Sequence, residues 1–317
     1  MDLQQRARII IETNLALQPG ETLLVVTDDP TREVGELFYE AARAMDHRAL
    51  IMQMPEGSVA GEEPPAPVAA AMKAADVALC PTAKSITHTN ARIKAAAAGT
   101  RVVTMPGITM DMLRDGAACA DYDQVERRTR QLTERLTHAK HARIEKDGHV
   151  LAPALPGRDG VASPGVYREP GASGNFPSGE AYIAPLEDGA NGTAVIDGSM
   201  VGIGTLTEPM TVTIENGRLT RIEGADAQGP YAERLSVLFE QPENGTIAEL
   251  GIGTNEAAKL CGIILEDEKL YGTVHIAFGT NTSFGGITKA DCHLDGIILN
   301  PTLYLDDECV IRKGEFL

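Results

Sequence analysis

The chain has 317 residues, 43% hydrophobic and 23% charged, which is enough apolar material for two ordinary domains and too much for a disordered chain. With 28 Lys and Arg against 45 Asp and Glu its formal charge is −17, only 4% of residues are aromatic, and Trp is absent. An acidic surface repels phosphates and offers bases little to stack on, so neither nucleic acid nor an anionic membrane is an expected partner.

Residues 21–27 read as a buried strand, a β-branched run between Pro19-Gly20 and Asp28-Asp29-Pro30. Asp29 is expected to cap the following helix, with Pro30 at its first position and Val34, Leu37, Phe38 and Ala41 as one apolar stripe. A strand over 48–54, a helix over 66–75, a strand over 77–80, a helix over 89–98, a strand over 101–105 and a helix over 122–140 continue the alternation. This order predicts an α/β domain over residues 1–145 with a flavodoxin-like or Rossmann-like parallel sheet. The first strand ends in acids and not in a glycine-rich turn. Gly202-Ile-Gly204 and Gly251-Ile-Gly253 each lack a third glycine, so no nucleotide is expected on the sheet.

Residues 146–174, rich in Gly, Pro, Ser and Asp, read as a linker or covering loop. They open a second domain, 146–317, expected to be α+β and rich in antiparallel strands: 193–197, 210–215, 218–223, 271–278, 297–305 and 309–312. Asn216-Gly217 marks a hairpin. Helices are expected over 231–239, behind Pro230, and over 255–265. Five scattered cysteines without a C-x-x-C pair fit a reducing, cytoplasmic setting. Neither a leader-like N-terminus nor a membrane-spanning apolar run is expected.

The chemistry concentrates in this second half. Alternation puts Thr273, His275 and Ala277 on one face of a strand, and Asp291, His293 and Asp295 on one face of another. An H-x-D pair on a strand aims an imidazole and a carboxylate at one point, a divalent-metal geometry. Glu249 lies in an apolar run leading into a glycine-rich turn, and Glu180 between turn residues and an apolar strand. A carboxylate buried in such a setting requires a partner. Glu180, Glu249, His275, His293 and Asp295 thus form a candidate set that suits two metals with a bridging carboxylate, or one metal with the remaining groups as supports and base. Thr254, Asn255, Asn281 and Ser283 offer an alternative grip on a small polar ligand.

The strings Asn175-Phe-Pro-Ser-Gly-Glu180, Ala248-Glu-Leu-Gly-Ile-Gly-Thr-Asn255, Gly272-Thr-Val-His-Ile-Ala-Phe-Gly279 and His293-Leu-Asp295 occur in the order and spacing of successive motifs of one family. On these motifs the chain resembles the aminopeptidase T / aminopeptidase S metallopeptidases. The first half adds His88-Thr-Asn-Ala-Arg92 and Met105-Pro-Gly-Ile-Thr109. The resemblance implies a homodimeric, metal-dependent aminopeptidase-like hydrolase acting on small peptides or amides. It implies Glu180, Glu249, His275, His293 and Asp295 as ligands of two zinc, cobalt or manganese ions, and Glu249 or Glu180 as the group that moves protons. Three departures stand against it: Gly179 where such peptidases carry a second acid, no Tyr in the stretch after His275, and a short chain. The related 2,5-dihydroxypyridine dioxygenases, which bind a single Fe(II), supply the alternative, with His275, His293 and Asp295 as the facial ligand set. His88 and Asn90, at a helix start, are expected to receive an anionic substrate group.

Overall fold

In the computed structural model, which describes residues 1–224 and 231–317, the apolar run after Pro19-Gly20 forms strand β1 (Thr22–Asp28). It pairs in parallel with β2 (Arg48–Met54) and β3 (Val77–Thr82), and β3 pairs in parallel with β4 (Arg101–Pro106). A short edge strand, Ser173–Asn175, completes a sheet ordered β2-β1-β3-β4 plus that edge, the flavodoxin-like order. Leu24, Val26, Ala78, Cys80 and Val102 from the strands meet Val68 and Met72 of helix Ala66–Ala74 in one core. The sheet belongs to the first of two units, Met1–Glu126 with Gly165–Ser178; the second comprises Arg127–Pro164 with Gly179–Leu317. Residues 127–145 therefore lie in the second unit, and 165–178 in the first.

Two details of the first unit differ from the sequence reading. The helix after β1 runs Arg32–Ala44, with Thr31 and not Asp29 at its N-cap position. Buried Asp28 explains the delay: its carboxylate accepts from the Thr31 backbone N–H and hydroxyl and from the Ala83 N–H, which holds the chain in a turn. The start of helix Asn90–Ala97 is already served by a protein anion, since Glu63 accepts from the backbone N–H groups of Asn90 and Ala91. The anionic group expected at His88 and Asn90 thus has a resident occupant of those donors.

The second unit is built from antiparallel sheets. Asp147 and Gly148 both have positive φ, 48° and 83°, and close a hairpin between Ala142–Lys146 and His149–Pro153. The stretch read as a linker therefore opens with a strand hairpin and carries two further short strands, Val161–Ser163 and Ser173–Asn175. Asn216-Gly217 closes the expected hairpin between Met210–Glu215 and Arg218–Glu223. These strands, with Ala190–Ile196, Thr302–Leu305, Glu308–Arg312 and Glu315–Phe316, form an eight-stranded sheet. A seven-stranded sheet has β5 (Glu180–Ile183), β6 (Ile247–Gly253), β7 (Val274–Gly279) and β8 (His293–Ile298) at its centre. Ile144, Leu151 and Val212 of one sheet join Leu250, Ile276, Phe278 and Ile298 of the other in a common core. The strand expected over 297–305 is two strands, broken at Asn300, whose φ is 48°. Helix Ala232–Glu240 forms as expected, and Pro230 ahead of it lies outside the described residues.

No helix spans 255–265; only Ile264–Asp267 is helical there. Asn255 and Asp267 take the backbone donors a helix would have used: Asn255 accepts from the Ala257 and Ala258 N–H groups, and Asp267 from Cys261, Gly262 and Ser199. Asp267→Ala leaves the buried Ser199 hydroxyl and the part-buried Cys261 and Gly262 N–H groups without their acceptor and is expected to lower the unfolding free energy by about 2 kcal/mol, read as a shift in the urea midpoint. Among the described residues no helix is long and apolar enough to cross a membrane.

Candidate metal centre

The five candidate residues come from four neighbouring strands. Pairing places Gly253 opposite Glu180, Gly251 opposite His275, and Ala277 between Glu249 and Asp295; Gly279 faces His293. Side chains directly opposite share a face, so all five project from the same side of the sheet, while Leu250, Ile252, Ile276 and Phe278 fill the core on the other. A register shift between Ile247 and Glu249 marks a bulge that helps to bring Glu249 onto this face.

Glycine and alanine between these positions leave room for the larger groups. A Cβ at Gly251 would stand 2.0 Å from Nε2 of His275, so the imidazole lies where a side chain would otherwise be. Gly251→Ala is expected to displace the ring, cost about 1–3 kcal/mol in overpacking and lower the metal content of the purified protein, measured by elemental analysis.

The side-chain ends converge. Nε2 of His275 lies 3.2 Å from Glu249 and 3.5 Å from Glu180, and Nε2 of His293 lies 3.4 Å from Glu249 and 3.5 Å from Asp295. Glu249 thus offers one oxygen to each ring. Nδ1 of His293 meets the Thr280 carbonyl oxygen at 2.8 Å, which fixes it as the donor and leaves the Nε2 lone pair for the cluster. Nδ1 of His275 is buried with no hydrogen-bond partner among the described residues. The ligand atoms fall into two triads, each within 4.8 Å: Glu249, His293 and Asp295 in one, and Glu180, Glu268 and His275 in the other. The facial set read from the sequence, His275, His293 and Asp295, is split between them.

Sequence reasoning missed Glu268 and Lys269. Glu266-Asp267-Glu268-Lys269 has the composition of a solvated face, and nothing in the run itself singles out either residue. The structure buries most of it: Lys269 is fully enclosed, 2.7 Å from Glu180 and hydrogen-bonded to Glu268. The available signal was the apolar context, Ile263-Ile-Leu265 before the run and Leu270 after it. Also missed were Tyr182 and Phe284, whose rings pack edge to face at 5.3 Å, with the His293 ring 6.0 Å from Phe284.

The electrostatics favour a cation. Four carboxylates face one ammonium and two imidazoles, and carboxylates this concentrated are costly to bury without compensating positive charge, from protons on the rings or from a bound cation. Burial pushes His275 down, but Glu249, Glu180 and Asp295 outweigh it and lift its pKa to about 9. His293, likewise opposed by burial, is raised well above the usual range by Asp295 and Glu249. Burial would raise Glu249, yet His275 and His293 hold it down at about 2. Glu268 rises to about 8, chiefly through burial, against the pull of Lys269. Carboxylate oxygens and imidazole nitrogens on one buried face are the donor set of a divalent transition metal, and the residues present fit such an ion.

The alternative polar grip does not form. Thr254, Asn255 and Asn281 are fully buried and hold loops: the Thr254 hydroxyl bonds Thr129, Asn255 caps a turn, and Asn281 accepts from the Thr288 N–H.

A model of the 2,5-dihydroxypyridine 5,6-dioxygenase family matches residues 12–317. The 2,5-dihydroxypyridine 5,6-dioxygenase of Pseudomonas putida is 32% identical over 167 residues, 49% of this chain; the match spans about half (47%) of that relative's length. Among solved structures, 2,5-dihydroxypyridine dioxygenase from Pseudomonas putida has a TM-score of 0.82 at 23% identity, covering 99% of this chain and 96% of that one. Wild-type AmpT from Thermus thermophilus has a TM-score of 0.71 at 15% identity, covering 99% and 98%. At these identities the structures show a shared fold, and the aminopeptidase T resemblance stands as a distant likeness. The expectation of an aminopeptidase-like hydrolase is overturned by the family match. A local reason accompanies it: Gly179, where the peptidases carry a second acid, has φ 131°, a conformation that L side chains rarely adopt.

Proposed function

The chain belongs to the 2,5-dihydroxypyridine 5,6-dioxygenase family, and from that premise we propose that it opens the ring of a dihydroxylated pyridine with O₂ at a single ferrous ion. The observation that carries this reading is that the family match, 12–317, runs through every residue of the buried cluster. When bound, ferrous iron supplies the one-electron chemistry with triplet O₂ that amino-acid side chains lack. His275, His293 and Asp295 would hold it, with the Glu249 carboxylate between the two imidazoles, and Thr280 keeps His293 in the ligating tautomer.

Glu180 turns one oxygen to Lys269 and the other towards His275, a position that fits support of the ring better than proton transfer. The Tyr182 and Phe284 rings beside His293 form an aromatic wall suited to a flat heteroaromatic ring. Phe284→Ala is expected to raise KM for the pyridine roughly tenfold with little change in kcat, measured by initial rates of oxygen uptake. None of the five cysteines is in a disulfide, which fits a reducing compartment such as the cytoplasm. A homodimer remains part of the proposal, to be checked by light scattering.

The decisive assay loads the protein anaerobically with Fe(II), adds 2,5-dihydroxypyridine and then O₂. One O₂ consumed per ring lost supports the reading. Release of amino acids from aminoacyl amides by a zinc, cobalt or manganese form, with no oxygen uptake by the ferrous form, overturns it.

A further inference from the structure

The two triads are alike in chemistry, one imidazole and two carboxylates each, yet only one is bonded to an ammonium. Lys269 is fully buried; its Nζ lies 2.7 Å from Glu180 Oε1 and is hydrogen-bonded to Glu268 Oε1, both members of the triad completed by His275. No lysine or arginine is recorded in ion-pair contact with Glu249 or Asp295 among the described residues. We infer that Lys269 is a built-in cation that stands in for a second metal ion and limits the cluster to one.

The placement is rigid. The Lys269 N–H donates to the Glu266 carbonyl oxygen, and its own carbonyl oxygen accepts from the Asn255 N–H. A Cβ at Gly253 would stand 2.0 Å from the Leu270 carbonyl oxygen and 2.8 Å from the Lys269 carbonyl carbon, so the lysine's backbone lies directly against β6. An exposed lysine would swing aside for a divalent ion. This one has no solvent to enter, and removing its charge leaves Glu180 and Glu268 side by side. An ion bound by these two carboxylates would compete with the ammonium for the same oxygens and be repelled by its charge. The Glu249, His293 and Asp295 triad carries no such obstacle. Lys269 is thus a positioning residue: it fixes how many ions bind and keeps Glu180 and Glu268 from holding a second one.

The inference rests on the reading of the cluster as a divalent-ion site, and the test separates the two. Metal-stripped protein is titrated with Mn(II), and free and bound manganese are followed by electron paramagnetic resonance. The wild-type chain should bind one Mn(II) with an isolated-ion spectrum, Lys269→Arg should do the same, and Lys269→Met should bind two with the broadened spectrum of a coupled pair. Because the single variant leaves two carboxylates unpaired and could unfold, Lys269→Met/Glu268→Gln, which removes one charge of each sign, is the second variant and should also gain an ion. Two ions in the wild-type chain, or one ion in both folded Met variants, overturn the inference. Failure of the wild-type chain to bind any Mn(II) removes the metal centre itself, and the role of Lys269 with it.

Discussion

Glu249→Gln is expected to lose bound metal and the proposed ring-opening activity together. Among the described residues this carboxylate is the one recognised in ion-pair reach of both imidazoles, at 3.2 Å from His275 and 3.4 Å from His293, and it is nearly enclosed at 7% exposure. The amide is isosteric, so the bulged start of β6 and the core behind it should stay intact. What changes is the charge: a neutral group, half of it donor, would face two ring nitrogens that need an acceptor or a cation opposite them. Losing a group that merely supports a metal ligand costs about 10–100-fold in affinity or activity. Glu249 sits inside that circle, and its loss should exceed the upper figure. Metal analysis of the dialysed variant and its oxygen uptake with 2,5-dihydroxypyridine measure both. A variant that keeps full metal content and near-normal rate would place Glu249 outside the ion's surroundings. Glu180→Gln should fall less far, since one Glu180 oxygen is already engaged by Lys269.

How much of this site could be read from the sequence depends on how local each signal is. His293 and Asp295 are two apart on one strand, and strand alternation alone puts them on one face. His275, Glu249 and Glu180 lie on other strands, and apolar or glycine-rich surroundings marked each as a polar group in need of a partner. Their convergence, however, depends on register, which single-strand patterning does not contain. Lys269 was invisible for a different reason. A Glu-Asp-Glu-Lys run has the composition of a solvated helix end, and only tertiary burial makes it an interior cation. In the first unit the βαβα alternation was enough to fix the class of sheet. The helix start after β1 was misplaced because Asp28, and not Asp29, takes the Thr31 donors. The Asp147-Gly148 hairpin was legible by the same rule that found Asn216-Gly217, but the Gly- and Pro-rich composition around it outweighed the turn signal.

The chemistry was harder to read than the place. The peptidase and dioxygenase readings draw on the same five side chains, so the ligand list cannot separate them. What distinguishes them lies around the list. Gly179 has a backbone conformation hostile to a second acid, an aromatic pair stands beside His293, and a lysine occupies one half of the carboxylate cluster. Each was a single residue without a pattern, and each acquires meaning only from its neighbours in space.

Metal uptake releases protons, and affinity climbs steeply with pH. Burial pushes the His275 ring down, but Glu249, Glu180 and Asp295 prevail and lift it to about 9; His293 is raised well above its ordinary value by Asp295 and Glu249. In the metal-stripped protein both rings therefore hold a proton more tightly than a free imidazole does, and a metal ligand must be neutral imidazole. A raised pKa means the competing proton is fully present below that value and lost as the pH rises through it. Metal binding should accordingly strengthen as the pH rises towards about 9, where the His275 ring loses its proton. Displacing both ring protons gives a slope of about two logarithmic units of affinity per pH unit between pH 6 and 8. Calorimetric titration of Mn(II) in buffers of differing ionisation enthalpy counts the protons directly: the observed heat should vary with the buffer in proportion to about two protons released. Glu249→Gln removes the acceptor shared by both rings, so their pKa values should fall and the count with them. A binding heat independent of buffer, with affinity flat from pH 6 to 8, would mean that the rings were already neutral and that the carboxylates do not hold their protons.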